Sequence, residues 1–233
     1  AQTIRQKFEV SVEAYYKTMT NLIEYKDGAS FFSGGGDWES QIESGRGWSY
    51  GLELFVQKKV GKTAGWIGYT LSWTERQFDN LNFGEVFPYR YDRRHDLSIV
   101  LTQEITKNID FAATWVYGTG NAVSLPIQRY SAPSSTLSGF FGGEVQHYES
   151  RNGYRMAAYH RMDIGINFHK QRKWWDRTWS IGAYNAYSRQ NPFFLYFDTT
   201  YELDENGVSQ PKQSLVQVSL FPVVPYISYS FKF

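Results

Sequence analysis

The most restrictive feature of this sequence is a two-residue period that recurs from end to end. In Gly47–Lys59, Trp48, Tyr50, Leu52, Leu54 and Val56 fall on one side, with Ser49, Gly51, Glu53, Phe55 and Gln57 on the other. The tail repeats the pattern: Pro225, Ile227, Tyr229, Phe231 and Phe233 alternate with Tyr226, Ser228, Ser230 and Lys232. Side chains that point to opposite faces at every step belong to an extended strand, here with one apolar and one mostly polar face. A helical reading fails, because the alternation persists and β-branched and aromatic residues fill the apolar slots.

Eight such segments can be traced. The first is Lys7–Tyr25, where Phe8, Val10, Val12, Ala14 and Tyr16 alternate with polar residues and the phase blurs after Tyr15-Tyr16, as at a bulge. Gly47–Lys59 is the second. Ile67, Tyr69, Leu71 and Trp73 define the third, Arg93–Ile105 the fourth, and Ile109 to Tyr117 the fifth. The sixth carries Met156, Ala158, Met162, Ile164, Ile166 and Phe168; the seventh Trp179, Ile181 and Ala183; the eighth spans Leu215–Phe233. Connections sort by length. Val60–Ala64, Thr106–Asn108 and Lys170–Arg177 are short, whereas Asp27–Arg46 with Gly34-Gly35-Gly36, Phe78–Asp92, Gly118–Arg155 and Arg189–Lys212 are long. Segregation of short turns to one end and long loops to the other is the habit of outer-membrane barrels.

Composition enters at the question of what covers the apolar face. The chain has 18 Tyr, 17 Phe and 8 Trp, yet its mean hydropathy is −0.49, so apolar surface is interleaved with polar residues. No run approaches the roughly 18 apolar residues of a membrane helix, while barrel strands need only about 9–11 alternating residues. Trp48, Tyr50, Trp73, Trp115, Tyr117 and Trp179 lie near strand ends on the aliphatic face, as aromatic girdles do at membrane interfaces. The expectation is an all-β, antiparallel transmembrane barrel with its apolar face outward; a lipocalin-like soluble barrel is the opposing arrangement. Net charge is +1, so no global field recruits nucleic acid, and there is no Cys for a disulfide or thiol chemistry.

Phe87-Pro88-Tyr89-Arg90-Tyr91-Asp92-Arg93-Arg94-His95-Asp96-Leu97 resembles the segment that opens a barrel strand in TonB-dependent outer-membrane receptors, especially those with a carboxypeptidase-regulatory-like N-terminal extension. Glu13–Lys17 with Asn21–Tyr25, Gly51–Phe55, Gly65–Trp73, Tyr187–Phe193 and the tail Pro222–Phe233 resemble the same family in the same order. In that tail Tyr229, Phe231 and Phe233 match the aromatic ending used as a barrel-assembly signal. The resemblance implies a plugged barrel of about 22 strands, of which residues 1–233 are the C-terminal third, with plug domain and TonB box outside this chain. It further implies energy-coupled uptake of a scarce solute at the bacterial outer membrane, with the C-terminus at the periplasmic side, no enzymatic activity and no cofactor. Implied partners are outer-membrane lipid and lipopolysaccharide, the rest of the barrel and plug, TonB through the N-terminal part, and a surface lipoprotein. Siderophores, oligosaccharides, peptides and vitamin B12-like ligands all use this architecture, so the solute stays open.

The densest charge cluster is Arg90, Tyr91, Asp92, Arg93, Arg94, His95 and Asp96. It suits either binding of an anionic group or a charge ladder that fixes a strand rim, and the second is the commoner use. Arg161 and Asp163, and Glu53 and Arg76, share the polar face and either line a lumen or pair with neighbours. His95, His147, His160 and His169 show no metal-ligand spacing. Ser138-Gly139-Phe140-Phe141-Gly142-Gly143 suits a ligand-contact loop and, equally, packed loop filler. The short turns are basic (Lys58, Lys59, Lys62; Lys107; Lys170, Arg172, Lys173, Arg177), and Trp174-Trp175 suits a headgroup belt as well as an ordinary solvated turn. Long loops lean acidic at Asp37, Glu39 and Glu43 and at Asp198, Glu202, Asp204 and Glu205. The alternative to a receptor segment is a complete eight-stranded barrel with a structural or adhesive role, in which the first and last strands pair.

Overall fold

The computed structural model describes residues 2–4, 7–26, 38–126, 128–131, 144–203, 205 and 207–233. Gly34–Gly36, Asp37, Ser138–Gly143 and Asp204 lie outside the described residues. Ten longer strands form: β1 Phe8–Tyr25, β2 Ile42–Lys58, β3 Thr63–Gln77, β4 His95–Thr106, β5 Ile109–Gly118, β6 Tyr159–Gln171, β7 Asp176–Tyr184, β8 Pro192–Leu203, β9 Ser209–Ser219 and β10 Val224–Lys232. The main sheet is an antiparallel meander, β1-β2-β3-β4-β5-β6-β7-β10, and β8 and β9 pair only with each other. The chain is therefore all-β, as the alternation requires.

Register carries the sequence pattern across the sheet. Val10, Val56, Ile67, Ile99, Trp115 and Met162 stand side by side on six strands, and Phe111, Ile166, Ile181 and Ile227 continue the same face on four. On the opposite face Glu13, Glu53, Thr70, Asp96 and Gly118 form a polar row. The polar face is narrowed by glycines filled from a neighbour. A Cβ on Gly165 would meet the Tyr226 hydroxyl at 2.6 Å, so that Tyr lies across the space a side chain would take.

The apolar face is not a core. Among the described residues the buried hydrophobic side chains are Phe78, Leu81, Phe87, Ala122 and Met156, none of them from the strand rows. Phe78, Leu81 and Phe87 pack together with Leu22 at the long-loop end. Val12, Leu52, Leu54, Ile67, Ile181 and Ile227 are all exposed, Ile227 to 67%.

Several boundaries differ from expectation, among them the sixth strand, which starts at Tyr159 and leaves Met156 and Ala158 before it, and the fourth, which starts at His95 and not Arg93. The eighth strand is not Leu215–Phe233: Leu215–Ser219 belong to β9, and the sheet strand starts at Val224. Phe221 at φ 51° between them, followed by Pro222, breaks the extended path. The last long loop is hence a hairpin, β8–β9, and not an irregular connection. The second strand begins five residues earlier than its alternation, at Ile42 and not Gly47, because Ile42, Glu43, Ser44 and Gly45 pair with Tyr25, Glu24, Ile23 and Leu22. The phase change in β1 falls between Met19 and Leu22, with Asn21 at φ 56°, a conformation Asn tolerates; Tyr15 and Tyr16 remain in register opposite Gly51 and Tyr50.

Neither end of the main sheet pairs with the other. Gln2–Ile4 occupies the outer edge of β1, opposite Phe8 to Val10, and runs antiparallel to it. The outer edge of β10 has no strand beside it among the described residues.

Candidate functional site

The segment between β3 and β4 runs along the edge of β3, and its geometry explains the charged motif. Phe87 and Pro88 pair with Arg76 and Glu75, and Tyr89 N–H donates to the Thr74 carbonyl at 2.9 Å. Residues 90–92 then loop out in a turn closed by Asp92 N–H to the Tyr89 carbonyl, 2.8 Å. Thr74 N–H loses the backbone acceptor that an uninterrupted strand would offer. The Asp92 carboxylate takes it at 2.6 Å. Backbone pairing resumes with Ser72 N–H to the Arg94 carbonyl at 3.1 Å and His95 opposite Leu71.

Asp92 is 1% exposed, so its charge needs partners. Arg155 supplies two contacts, donating to the Asp92 carboxylate and to the Asp92 carbonyl, with a third to the Gly120 carbonyl at 3.3 Å. Arg94 stands 3.5 Å from the same carboxylate and lies over the Trp73 ring at 4.5 Å. Arg155 is placed by a two-residue ladder, Tyr154–Arg155 against Ala122–Val123, and Ala122 N–H bonds the Arg90 carbonyl at 3.1 Å. The rest of the motif is peripheral. Arg93 reaches Asp96 at 3.4 Å, His95 meets the Tyr69 hydroxyl at 2.8 Å, and Arg90 lies 5.8 Å over exposed Tyr91. The structure thus brings the motif together as a strand-edge fastening centred on a buried carboxylate.

Beside it, loops from three parts of the chain border an open cavity of about 1280 Å³ at the long-loop end, lined among others by Glu24, Tyr25, Trp38, Arg76, Tyr89, Tyr91, Tyr148 and Arg151. Arg76 projects from the polar face of β3. It pairs with Glu24 at 2.9 Å, stacks 3.6 Å over Tyr89, and leaves its buried Nε without a hydrogen-bond partner. Arg151 approaches Glu24 at 3.4 Å and bonds the Tyr25 carbonyl at 3.1 Å, while its N–H donates to Asn82 at 2.7 Å. Two guanidinium groups share one carboxylate, and aromatic rings flank them. The cavity suits a solute with planar or apolar parts and acceptor oxygens.

A second fastening uses an amide. Asn191 accepts from His160 N–H at 3.0 Å and donates to the His160 carbonyl at 2.9 Å, standing in for a strand neighbour of β6. Asn185, 1% exposed, donates to the carbonyls of Arg189 and Phe221 at 3.0 Å each and takes Arg189 N–H, while its own N–H meets Asp163. Arg161 and Asp163 pair with each other at 2.9 Å, and Arg161 also donates to Tyr159 and Tyr184. Arg76, grouped with Glu53 in the sequence, finds Glu24 instead.

The strand-end aromatics stack at the two ends of one face. Tyr50 lies 5.4 Å from Trp73 and 6.1 Å from Tyr16, and Trp115 lies 6.1 Å from Tyr117, all toward the long loops. At the short-turn end Trp179 meets Tyr229 at 4.6 Å and Phe231 meets Phe233 at 5.9 Å. Sequence reasoning missed Glu24, Arg151, Arg155 and Asn185 as site members. Glu24, Arg151 and Arg155 reach partners far away in sequence, whereas Asn185 also bonds Arg189 four residues on, and Asn191, which precedes a proline in a stretch already singled out, carried a local signal.

Comparison with protein-family models gives no match, and comparison with curated proteins gives none.

Proposed function

We propose that the chain is part of the wall of an outer-membrane active-transport receptor, a TonB-dependent barrel taking up a scarce solute, and that its long-loop end contributes to the solute's outer binding site. The observation that carries this reading is the open sheet: Gln2–Ile4 sits on the edge of β1 that β10 would need in a closed eight-stranded ring. The exposed apolar rows support a lipid-facing surface, since a water-soluble domain rarely leaves a contiguous apolar face of this extent uncovered. Loop lengths segregated by end support the same orientation, long loops outward and short turns in the periplasm. In this reading β1 and β10 join strands contributed from elsewhere in the assembly, and the Glu24–Arg76–Arg151 cavity faces the outer mouth. The wall performs no bond-breaking chemistry.

The test uses the chain's lack of Cys. Cysteine pairs are introduced into the full-length protein in its native membrane, one at Ala14 or Tyr16 of β1 and one at Pro225, Ile227 or Tyr229 of β10. A disulfide needs Cα atoms within about 7 Å. The expected result is no β1–β10 cross-link in any combination under oxidation, while a control pair at Ile181 and Ile227, partners across β7 and β10, does cross-link. A β1–β10 disulfide overturns the receptor reading in favour of a free-standing eight-stranded barrel.

A further inference from the structure

The β6–β7 hairpin carries four cations, Lys170, Arg172, Lys173 and Arg177, against one acid, Asp176. Arg172 N–H donates to the Trp175 carbonyl at 2.8 Å, so Lys173 and Trp174 form the tip. Register fixes the faces. Phe168 opposes Trp179, Lys170 opposes Arg177, and Arg177 opposes Phe231. Lys170 and Arg177 therefore extend the apolar face past Phe168 and Trp179, as two like charges set directly across from one another.

Such a pair repels unless something anionic lies between or over it. No ion pair to either residue occurs among the described residues. The side-chain carboxylates nearby are turned to the other face: Asp176 stands opposite Gln171 and Lys232, and Asp110 takes Asn167 and His169. The β2–β3 turn differs, since Lys59 there is neutralised by Glu9 at 2.5 Å. Around the cation pair the surface is aromatic. Arg177 lies 5.5 Å over Trp175, Trp175 lies 5.9 Å from Phe231, and Lys173 lies 5.5 Å over Trp174.

We propose that Lys170 and Arg177 hold the phosphate of an anionic phospholipid in the leaflet at the short-turn end. The phosphodiester would convert a like-charge contact into two charge-assisted ones, and the rings of Trp175 and Phe231 border it at headgroup depth, where amphipathic aromatics settle. This inference rests on the apolar face being lipid-facing, and the experiment separates the two.

Full-length protein is reconstituted into vesicles of phosphatidylcholine with a minor fraction of phosphatidylglycerol, then extracted, and retained lipid is counted by native mass spectrometry. Quenching of tryptophan by brominated acyl chains reports insertion independently. The expected result is preferential retention of phosphatidylglycerol, falling about fivefold for Lys170→Gln or Arg177→Gln and about 25-fold for both, following the usual contribution of a cation near an anionic surface. Lys107→Gln, in another turn, leaves retention unchanged. Arg177→Lys retains most of it, which keeps the comparison available if the double variant fails to assemble. Quenching with equal retention of both lipids, or an equal loss in Lys107→Gln, overturns the lipid site alone. Displacement by millimolar inorganic phosphate overturns its assignment to a lipid. Absence of quenching overturns the lipid-facing reading and the site with it.

Discussion

Asp92 and Asn191 solve one problem with different chemistry: each supplies, from a side chain, a hydrogen bond that a strand edge lacks where its neighbour loops away. Asp92 serves Thr74 N–H and so brings a charge into a site 1% exposed, which Arg155 and Arg94 must balance. Asp92→Asn keeps an acceptor for Thr74 but leaves Arg155 without its anion. Breaking such a pair costs about 3 kcal/mol, the low end of the usual range because Arg155 is 30% exposed. A thermal unfolding series on the full-length protein should show Asp92→Asn and Arg155→Met each strongly destabilised. The double variant should lose clearly less than the sum of the two. A second residue-scale test concerns Gly165, whose missing Cβ leaves room for the Tyr226 hydroxyl at 2.6 Å, with the next ring atom at 3.7 Å. Gly165→Ala should destabilise by about 1 kcal/mol through this overlap. Tyr226→Phe removes the overlapping oxygen, so the Gly165→Ala, Tyr226→Phe pair should recover most of that loss. An undiminished penalty in the pair would place the strain elsewhere.

Among the elements, the sheet strands were legible and the loop elements were not, for a physical reason. In β2 or β3 each residue's face is set by a period of two, and Gly51 or Leu52 announces its side without reference to anything distant. The β8–β9 hairpin has no such contrast: Phe193 and Phe194 are adjacent, and Thr199, Thr200 and Tyr201 follow with little alternation. Both of its faces are partly exposed, so nothing selects a hydrophobic side. The tail misled for a related reason, because the apolar residues Leu215, Val216 and Val218 of β9 run toward β10 with only Phe221 and Pro222 marking the break. The candidate site was half legible. The Arg90–Asp96 cluster was visible as a charge run, but its hub required Arg155, 63 residues downstream of Asp92. The hairpin's attachment yields a prediction at its own scale. Asn191→Ala leaves the His160 N–H and carbonyl without their partner, worth about 1–3 kcal/mol locally. Limited proteolysis should then cut the hairpin faster at its tip, near Glu205 to Val208, while β1–β7 stay protected. Protection unchanged from the parent would mean that the other contacts at its base, Asn185 to Phe221 and Tyr184 against Phe221, hold the arm.

For the molecule as a whole the question is which medium meets the row Phe111, Ile166, Ile181 and Ile227. The sequence alternation is compatible with water on either face, provided a second layer covers the other. No such layer covers the apolar rows among the described residues, and Ile181 in the middle of that face is 50% exposed. Water and lipid make opposite demands at this position. In water, Ile181→Lys exchanges an exposed apolar group for a solvated one and should be neutral within about 0.5 kcal/mol. In a bilayer a Lys on the lipid face near the midplane costs about 2–4 kcal/mol. Ser180, one residue earlier and half-buried on the polar face, is the internal control, since Ser180→Lys reverses the expectation only if that face is the dry one. Equilibrium unfolding of both variants in phospholipid vesicles decides between the media. The lipid-facing reading requires a loss of at least 2 kcal/mol for Ile181→Lys and a clearly smaller one for Ser180→Lys. The same ordering should hold one strand on, for Ile227→Lys against Ser228→Lys, because Ile181 opposes Ile227 and Ser180 opposes Ser228. A neutral Ile181→Lys would return the sheet to water and demand a partner layer over its apolar rows.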